Sequence, residues 1–239
     1  MRHIITIIKK QIRDTLRNKA VFIQFVMFPA LAAFMTKSIQ IEGMPANFFV
    51  KLFAAMYVGM APFTSIAAII SEEKEKNTLR VLLMADVTPW QYLAGVGSYV
   101  FFFCMLGAGV FCLLGEYTPG ERGAFLLIMA AGILASLLLG AAVGAGSGSQ
   151  MAATSVTVPV MLLFSFLPMF STFNSDISKV AKYTYTEQIR LLLDSLGTES
   201  GPLEGILIIA VNMILFAGLF CLLYRRQGFR QGRPALTKN

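Results

Sequence analysis

Long apolar runs separated by short polar segments dominate the chain. Six runs contain no Asp, Glu, Lys, Arg or His, and each is close to the roughly 20 residues that a helix needs to cross a bilayer core. Strands of a membrane barrel are shorter and alternate in polarity. The pattern predicts an all-α integral membrane protein, a single domain over residues 1–239 with six transmembrane helices. The predicted spans are Ala20 to Thr36, Leu52 to Ser71, Leu93 to Leu114, Ala124 to Gly144, Ala152 to Thr172 and Gly205 to Tyr224.

The leader, residues 1–19, has the spacing of an amphipathic helix. Basic residues fall between apolar positions that recur once per helical turn, at Ile5, Ile8, Ile12 and Leu16. Such a helix lies along the inner membrane surface, attracted by anionic lipid. A plain orientation signal without a regular fold is the alternative.

A second amphipathic pattern lies in residues 173–202, between the fifth and sixth runs. Apolar residues recur there at i, i+3, i+4 and i+7, namely Ile189, Leu192, Leu193 and Leu196. We expect outer helices that dip into or lie on the outer interface. A helix that only covers the loop is equally compatible with the pattern.

Basic residues near the ends of the spans predict the orientation. The side that holds both termini carries 14 Lys and Arg residues, and the opposite side carries 6. Both termini, including the tail at residues 225–239, are therefore expected in the cytoplasm, with the protein in the plasma (inner) membrane. The net charge of +7 is explained by this asymmetry, so we expect no nucleic-acid partner.

Several sources of energy and chemistry have no sequence support. Proton-driven carriers place ionisable residues inside their spans, and none of the six runs contains one. A sodium-coupled carrier stays open, because backbone carbonyls can bind sodium. The chain has a single histidine, His3, and no phosphate-binding loop of the G-x-x-x-x-G-K-[ST] type. We therefore expect no catalytic residue, no metal site and no cofactor in this chain, and energy that arrives through a partner.

Residues 72–86, between the second and third runs, form the most informative polar segment. Leu79, Leu82 and Leu83 share one face of a helix, and Glu72 and Lys76 have the spacing of an ion pair. A short amphipathic helix of this kind can bind a groove on a soluble partner. An ordinary solvated loop is the alternative.

The same segment resembles the permeases of the ABC-2 exporter family. The resemblance rests on the charged run after the second span, the Thr-Leu-x-x-Leu-Leu pattern and the proline before the third span, at Glu72, Glu73, Glu75, Thr78, Leu79, Leu82, Leu83 and Pro89. Asn77 stands where the family often has glycine, and Arg80 where it often has an acid. The order of the leader, the spans and the outer segment around Leu167-Pro168 and residues 179–190 is also similar.

The resemblance implies a function and partners. In the family, this segment is a cytoplasmic coupling helix that docks on separate ATPase subunits, which bind ATP and Mg²⁺, and re-entrant outer helices precede the sixth span. The seven coupling residues from Glu72 to Leu83 named above would contact the ATPase, with Glu73 and Glu75 at the rim of the contact. A second permease copy or a close homologue, membrane lipid and the exported substrate are the other implied partners.

Two groups of residues are candidates for the transport pathway and for helix packing. In the family the first, second and fifth spans line the pathway, which makes candidates of Phe22, Phe25, Phe28, Phe164, Phe166 and Phe170. Residue by residue, core packing is the better explanation. Gly140 and Gly144 predict close helix packing. The expected function is an exporter of hydrophobic or amphipathic cargo, such as a drug, an antimicrobial peptide or a lipid-like molecule. A membrane immunity or assembly factor and a sodium-coupled carrier are the alternatives.

Overall fold

The computed structural model describes residues 19–39, 47–77, 89–197 and 203–231. These residues form eight α-helices and no strand, as the apolar pattern predicts. The helices are α1 (Lys19–Ser38), α2 (Phe48–Glu75), α3 (Pro89–Leu114), α4 (Pro119–Gly146), α5 (Gln150–Phe173), α6 (Ser175–Ala181), α7 (Tyr185–Asp194) and α8 (Leu203–Gln231). The predicted leader helix lies outside the described residues, apart from Lys19, which begins α1.

Five helices are long and apolar enough to cross a membrane: α2, α3, α4, α5 and α8. Together they make the chain a multi-pass membrane protein. In α1, the apolar stretch within the described side chains is Phe25–Ser38, which is shorter than the bilayer core requires. The sixth span therefore stays a prediction.

The centre of the bundle is α2. It packs against α1, α3, α4, α5 and α7, and most of its side chains are buried. In contrast, α5 and α8 expose most of their apolar side chains. Because lipid is as apolar as these side chains, the bundle is held together mainly by close packing and by hydrogen bonds between helices.

Glycines set the closest approaches to α2. A Cβ atom at Gly140 would lie 2.4 Å from the carbonyl oxygen of Phe63, and one at Gly144 would lie 2.9 Å from that of Ala67. One turn before Phe63 on α2, a Cβ atom at Gly59 would lie 2.8 Å from the Cα atom of Ser165 in α5. The structure thus places the predicted packing glycines against a helix of the same chain.

The helices α6 and α7 form a hairpin that enters the bundle between α5 and α8. Asn174 caps α6 by accepting hydrogen bonds from the backbone of Asp176 and Ile177. α7 then packs against α2, α4, α5 and α8. The sequence predicts a helix here from the spacing of Ile189, Leu192 and Leu193, and all three side chains are buried. Its last turn ends at Asp194, before Leu196.

We call the two ends of the bundle the Lys74 end and the Asp194 end. The Lys74 end contains the end of α2, the end of α4 and the start of α5. The Asp194 end contains the start of α2, the start of α4 and the end of α7, where Lys51 lies 3.9 Å from Asp194.

Candidate functional site

Three consecutive residues at the Lys74 end connect α2 to its neighbours. We call Glu73, Lys74 and Glu75 the α2 joint. The ammonium group of Lys74 donates hydrogen bonds to the carbonyl oxygen of Ala145, at 2.7 Å, and to that of Ser147. These carbonyls end α4, where a helix carries partial negative charge, so a cation there is stabilising. Lys74 therefore fixes the end of α2 to the end of α4.

Glu75 makes the corresponding contact with α5. Its carboxylate accepts a hydrogen bond from the backbone N–H of Gln150, the first residue of α5, at 2.6 Å. The hydroxyl of Ser149 accepts a further bond from the N–H of Ala152. The start of a helix has unpaired N–H groups and partial positive charge, which both acceptors satisfy. The end of α2 is thereby bonded to α4 and to α5 through groups of opposite charge.

Glu73 points into the bundle. Its side chain is buried, and its carboxylate lies against the hydroxyl of Tyr92 in α3. Glu73 therefore presents little free surface within this chain, and its role at the rim of a contact with a soluble partner stays a prediction. Glu75 is exposed, but its carboxylate also has a partner within the chain.

The backbone turns sharply directly after the joint. Asn77 has a φ of 57°, in the left-handed region, and its N–H bonds to the carbonyl of Lys74 at 3.1 Å. Glycine is the usual residue at such a helix end, and asparagine is one of the few others that tolerate it. Asn77 can thus adopt the conformation of the glycine that is frequent here in the family that this segment resembles.

The first residues of the predicted coupling segment belong to α2. The structure continues α2 through Glu75, so Glu72 lies in the last turn of α2, where it forms an exposed ion pair of 2.5 Å with Lys76. A separate helix cannot begin at Glu72. The other predicted coupling residues lie outside the described residues: Thr78, Leu79, Leu82 and Leu83.

A second polar arrangement lies deep in the bundle. Pro62 has no N–H, so the carbonyl of Val58 lacks its usual helical donor. The hydroxyl of Ser136 in α4 donates to this carbonyl, and the hydroxyl of Tyr185, at the start of α7, lies 2.7 Å from that of Ser136. Since Ser136 donates to Val58, Tyr185 donates to Ser136. This relay joins α7, α4 and α2, and satisfies a polar group that lipid could not.

The charged residues of α7 form a third arrangement, which we call the Glu187 cluster. The carboxylate of Glu187 accepts from the hydroxyl of Ser171 in α5 at 2.6 Å and from the guanidinium of Arg190 at 2.5 and 3.1 Å. Arg190 also bonds to Asp194 at 2.7 Å. The side chain of Glu187 is 1% exposed. The cluster therefore compensates a buried charge with charge-assisted hydrogen bonds.

Burial and neighbouring charges have opposite effects on the pKa values of Arg190 and Asp194. Burial alone would lower the pKa of Arg190, whereas the carboxylates of Glu187 and Asp194 raise it above its usual value. Burial raises the pKa of Asp194, while Arg190 and Lys51 oppose that change. Arg190 therefore stays charged, and the cluster holds α7 to α5 and α2.

The six candidate pathway aromatics occupy different environments. Phe25 and Phe28 are buried and pack against Phe103 and Phe53. Phe164 stacks on Tyr185, with ring centroids 5.3 Å apart, and Phe166 is half-buried. Phe170 is 51% exposed. The side chain of Phe22 lies outside those that the structure describes. Within this chain, Phe170 is the one of the five described candidates that presents a largely open surface.

Sequence reasoning missed the Glu187 cluster and the Ser136 relay. A signal for the cluster is present, since Glu187, Arg190 and Asp194 follow each other at i, i+3 and i+7, the spacing of ion pairs on one helical face. No such signal exists for Ser136, because its acceptor, the carbonyl of Val58, belongs to another apolar run.

Comparisons with known proteins agree with this architecture. A search of curated proteins gives no significant match. The family model described as "ABC-2 family transporter protein" matches residues 2–224, which is nearly the whole chain. The match includes the α2 joint, the α6–α7 hairpin and all five long apolar helices. The chain therefore belongs to the ABC-2 transporter family, as a membrane subunit of a transporter.

Proposed function

We propose that this chain is the permease subunit of an ATP-driven exporter that moves hydrophobic or amphipathic cargo out of the cytoplasm. It crosses the plasma membrane six times, with both termini in the cytoplasm. ATP and Mg²⁺ are bound by separate ATPase subunits, and a second permease, either a copy of this chain or a close homologue, completes the pathway. Family membership supports the transporter role, and the α2 joint supports the way in which energy reaches it.

The observation that carries the proposal is the bonding of the α2 joint. Residues 78–88 follow α2 after the turn at Asn77, and α2 packs against α1, α3, α4, α5 and α7. Lys74 bonds the end of α2 to the end of α4, and Glu75 bonds it to the start of α5. A force applied to residues 78–88 would therefore displace three helices together. A soluble ATPase that contacts residues 78–88 needs such a connection to move helices inside the membrane.

Charge supports the orientation. The Lys74 end is the end towards which the basic leader and tail are predicted to face, with 14 Lys and Arg residues on that side. A cytoplasmic Lys74 end places residues 78–88 where a soluble ATPase can reach them. The Glu187 cluster then faces the outer side.

The pathway is assigned to α5. In this chain α2 is surrounded by other helices, so its side chains have little free surface. α5 exposes Val158, Leu162 and Phe170 along its length, and its exposed hydroxyls, Thr154 and Ser155, are bonded to backbone carbonyls. An apolar surface of this kind suits cargo with a large hydrophobic part. It also suits contact with a second permease.

The decisive test is co-purification with the ATPase. Replacing both Leu79 and Leu82 with Asp puts charges where an apolar contact is proposed, and burying an unpaired charge costs several kcal/mol. Each 1.4 kcal/mol weakens binding about tenfold, so the ATPase should be lost while the permease still reaches the membrane. The matched control is Gly120→Asp, an exposed position at the Asp194 end whose Cβ atom would meet nothing within 4 Å. If the double variant keeps its ATPase and still exports, the proposal fails.

A further inference from the structure

An apolar cavity lies on the side of the bundle formed by α3, α4 and α8. Its volume is about 380 Å³. On α3 its wall contains small residues at i, i+3 and i+4, and on the other helices it contains larger apolar residues. The small residues are Ala94, Gly97 and Ser98, and the larger ones include Ile66, Leu134, Leu138 and Met213.

The cavity opens sideways into the hydrocarbon region. Ala94, Ser98 and Leu134 line the cavity and are themselves exposed. They belong to α3 and α4, two of the helices that are long and apolar enough to cross a membrane. Water does not fill such a void, because an apolar cavity offers it too few hydrogen-bond partners. A void left empty would forfeit the dispersion contacts of its walls.

The dimensions of the cavity indicate which kind of molecule fits into it. Along α3 it extends from Leu93 to Phe101, which is about 12 Å at 1.5 Å per residue. A helix of that length and about 10 Å in width occupies roughly 900 Å³, which is more than twice the cavity volume of about 380 Å³. A helix with its side chains is about 10–12 Å wide, so a helix of a second copy does not fit. A single hydrocarbon chain aligned with α3 does.

We propose that this cavity binds one acyl chain of a membrane phospholipid from the leaflet at the Lys74 end. Leu93 and Phe101 belong to the half of α3 that begins at that end, so the chain enters from that leaflet. The hydrophobic effect does not favour this site over the surrounding lipid, because both are apolar. The gain comes from filling a void that no side chain fills. None of the residues that line the cavity belongs to α5, so the site is independent of the proposed pathway.

The chain offers a matched pair of variants. A Cβ atom at Gly97, in the cavity wall, would meet nothing within 4 Å, and the same holds for Gly109, which lies on the same helix outside the cavity. Gly97→Phe should fill the cavity without displacing the backbone. Gly109→Phe adds the same ring to the same helix and leaves the cavity open.

Photolabelling tests the proposal. The full chain is reconstituted together with its ATPase in nanodiscs of phosphatidylethanolamine and phosphatidylglycerol that contain a phosphatidylcholine with a diazirine in one acyl chain. The labelled peptides are identified by mass spectrometry, without ATP and during ATP hydrolysis. We expect labelling of residues 93–101 to fall about tenfold in Gly97→Phe, because the ring occupies the space of the chain, and to stay unchanged in Gly109→Phe. Labelling of the exposed residues of α8 provides the reference for ordinary surrounding lipid.

Two results would overturn the proposal. If Gly97→Phe leaves the labelling of residues 93–101 unchanged relative to α8, the label comes from surrounding lipid only. If the labelling of the wild-type complex disappears during ATP hydrolysis, the occupant is moving cargo and not a resident lipid. Persistence of the label during hydrolysis, together with its loss in Gly97→Phe, supports the acyl-chain site.

Discussion

The Glu187 cluster and the α2 joint are both polar, but they use charge differently. In the cluster, charged side chains bond to one another and to Ser171 inside the bundle. In the joint, Lys74 and Glu75 bond to the backbone ends of other helices. The cluster holds α7 in one place, whereas the joint connects α2 to helices that can move with it. The first arrangement should therefore matter most for stability and the second for transmission.

The largest effect on stability is expected from Glu187→Leu. The substitution leaves the half-buried guanidinium of Arg190 without its closest carboxylate, and breaking a buried pair costs about 3–5 kcal/mol. Thermal unfolding in detergent, followed by the fluorescence of the single tryptophan, measures the loss. Glu72→Leu, at an exposed ion pair, is the control. Equal unfolding temperatures for the two variants would show that the cluster does not stabilise the fold.

Ser136→Ala should have the next largest effect. It leaves the carbonyl of Val58 and the hydroxyl of Tyr185 without a partner, at a cost of about 1–3 kcal/mol. Tyr185→Phe removes one of these groups, so the double variant should be less destabilised than the sum of the single variants. Additive losses in the same unfolding experiment would contradict the relay.

Lys74→Met should affect transport more than stability. The half-buried side chain lies at an end of the bundle, so the loss of its hydrogen bonds should cost only about 1 kcal/mol. The end of α2 is then no longer bonded to α4, and we expect the complex to hydrolyse ATP while export falls. Export and hydrolysis are measured in the same vesicles. Unchanged export per ATP hydrolysed would remove Lys74 from the transmission.

Glu72→Gln should have the smallest effect. The ion pair between Glu72 and Lys76 is exposed, and such pairs contribute about 0.3–0.5 kcal/mol. The stability of the permease should hardly change. If Glu72 contacts the ATPase at the rim, the variant should make ATPase binding less sensitive to ionic strength, because exposed charges are screened by salt. Binding titrations at low and high salt show the difference, and an identical salt dependence in both proteins would place Glu72 outside the contact.

The apolar pattern predicts the architecture better than the polar sites. Five apolar runs lie inside helices that can cross a membrane, because length and composition alone decide that property. The spacing of Ile189, Leu192 and Leu193 also predicts α7. The burial of Glu187 is not predictable in the same way, since a carboxylate on an outer helix is normally solvated and only the tertiary structure supplies Ser171 as its partner.

The sequence pattern also fails to predict the structure of the α2 joint. The sequence identifies residues 72–86 as one segment, but its division at Asn77 depends on a backbone turn. The buried position of Glu73 brings its carboxylate against Tyr92, which belongs to another helix. A pattern within one segment carries no information about such neighbours. Glu72, Glu73 and Glu75 are close in the sequence, but their carboxylates thus lie in three different environments.

An ATPase that drives this chain should contact it directly after α2. The most direct measurement is photo-crosslinking in the membrane-embedded complex, with benzoylphenylalanine at Lys76 or at Gly120. Both residues are exposed, and they lie at opposite ends of the bundle. We expect a crosslink to the ATPase from Lys76 and none from Gly120. A crosslink from Gly120, or none from Lys76 in a complex that retains its ATPase, would show that the ATPase does not bind after α2.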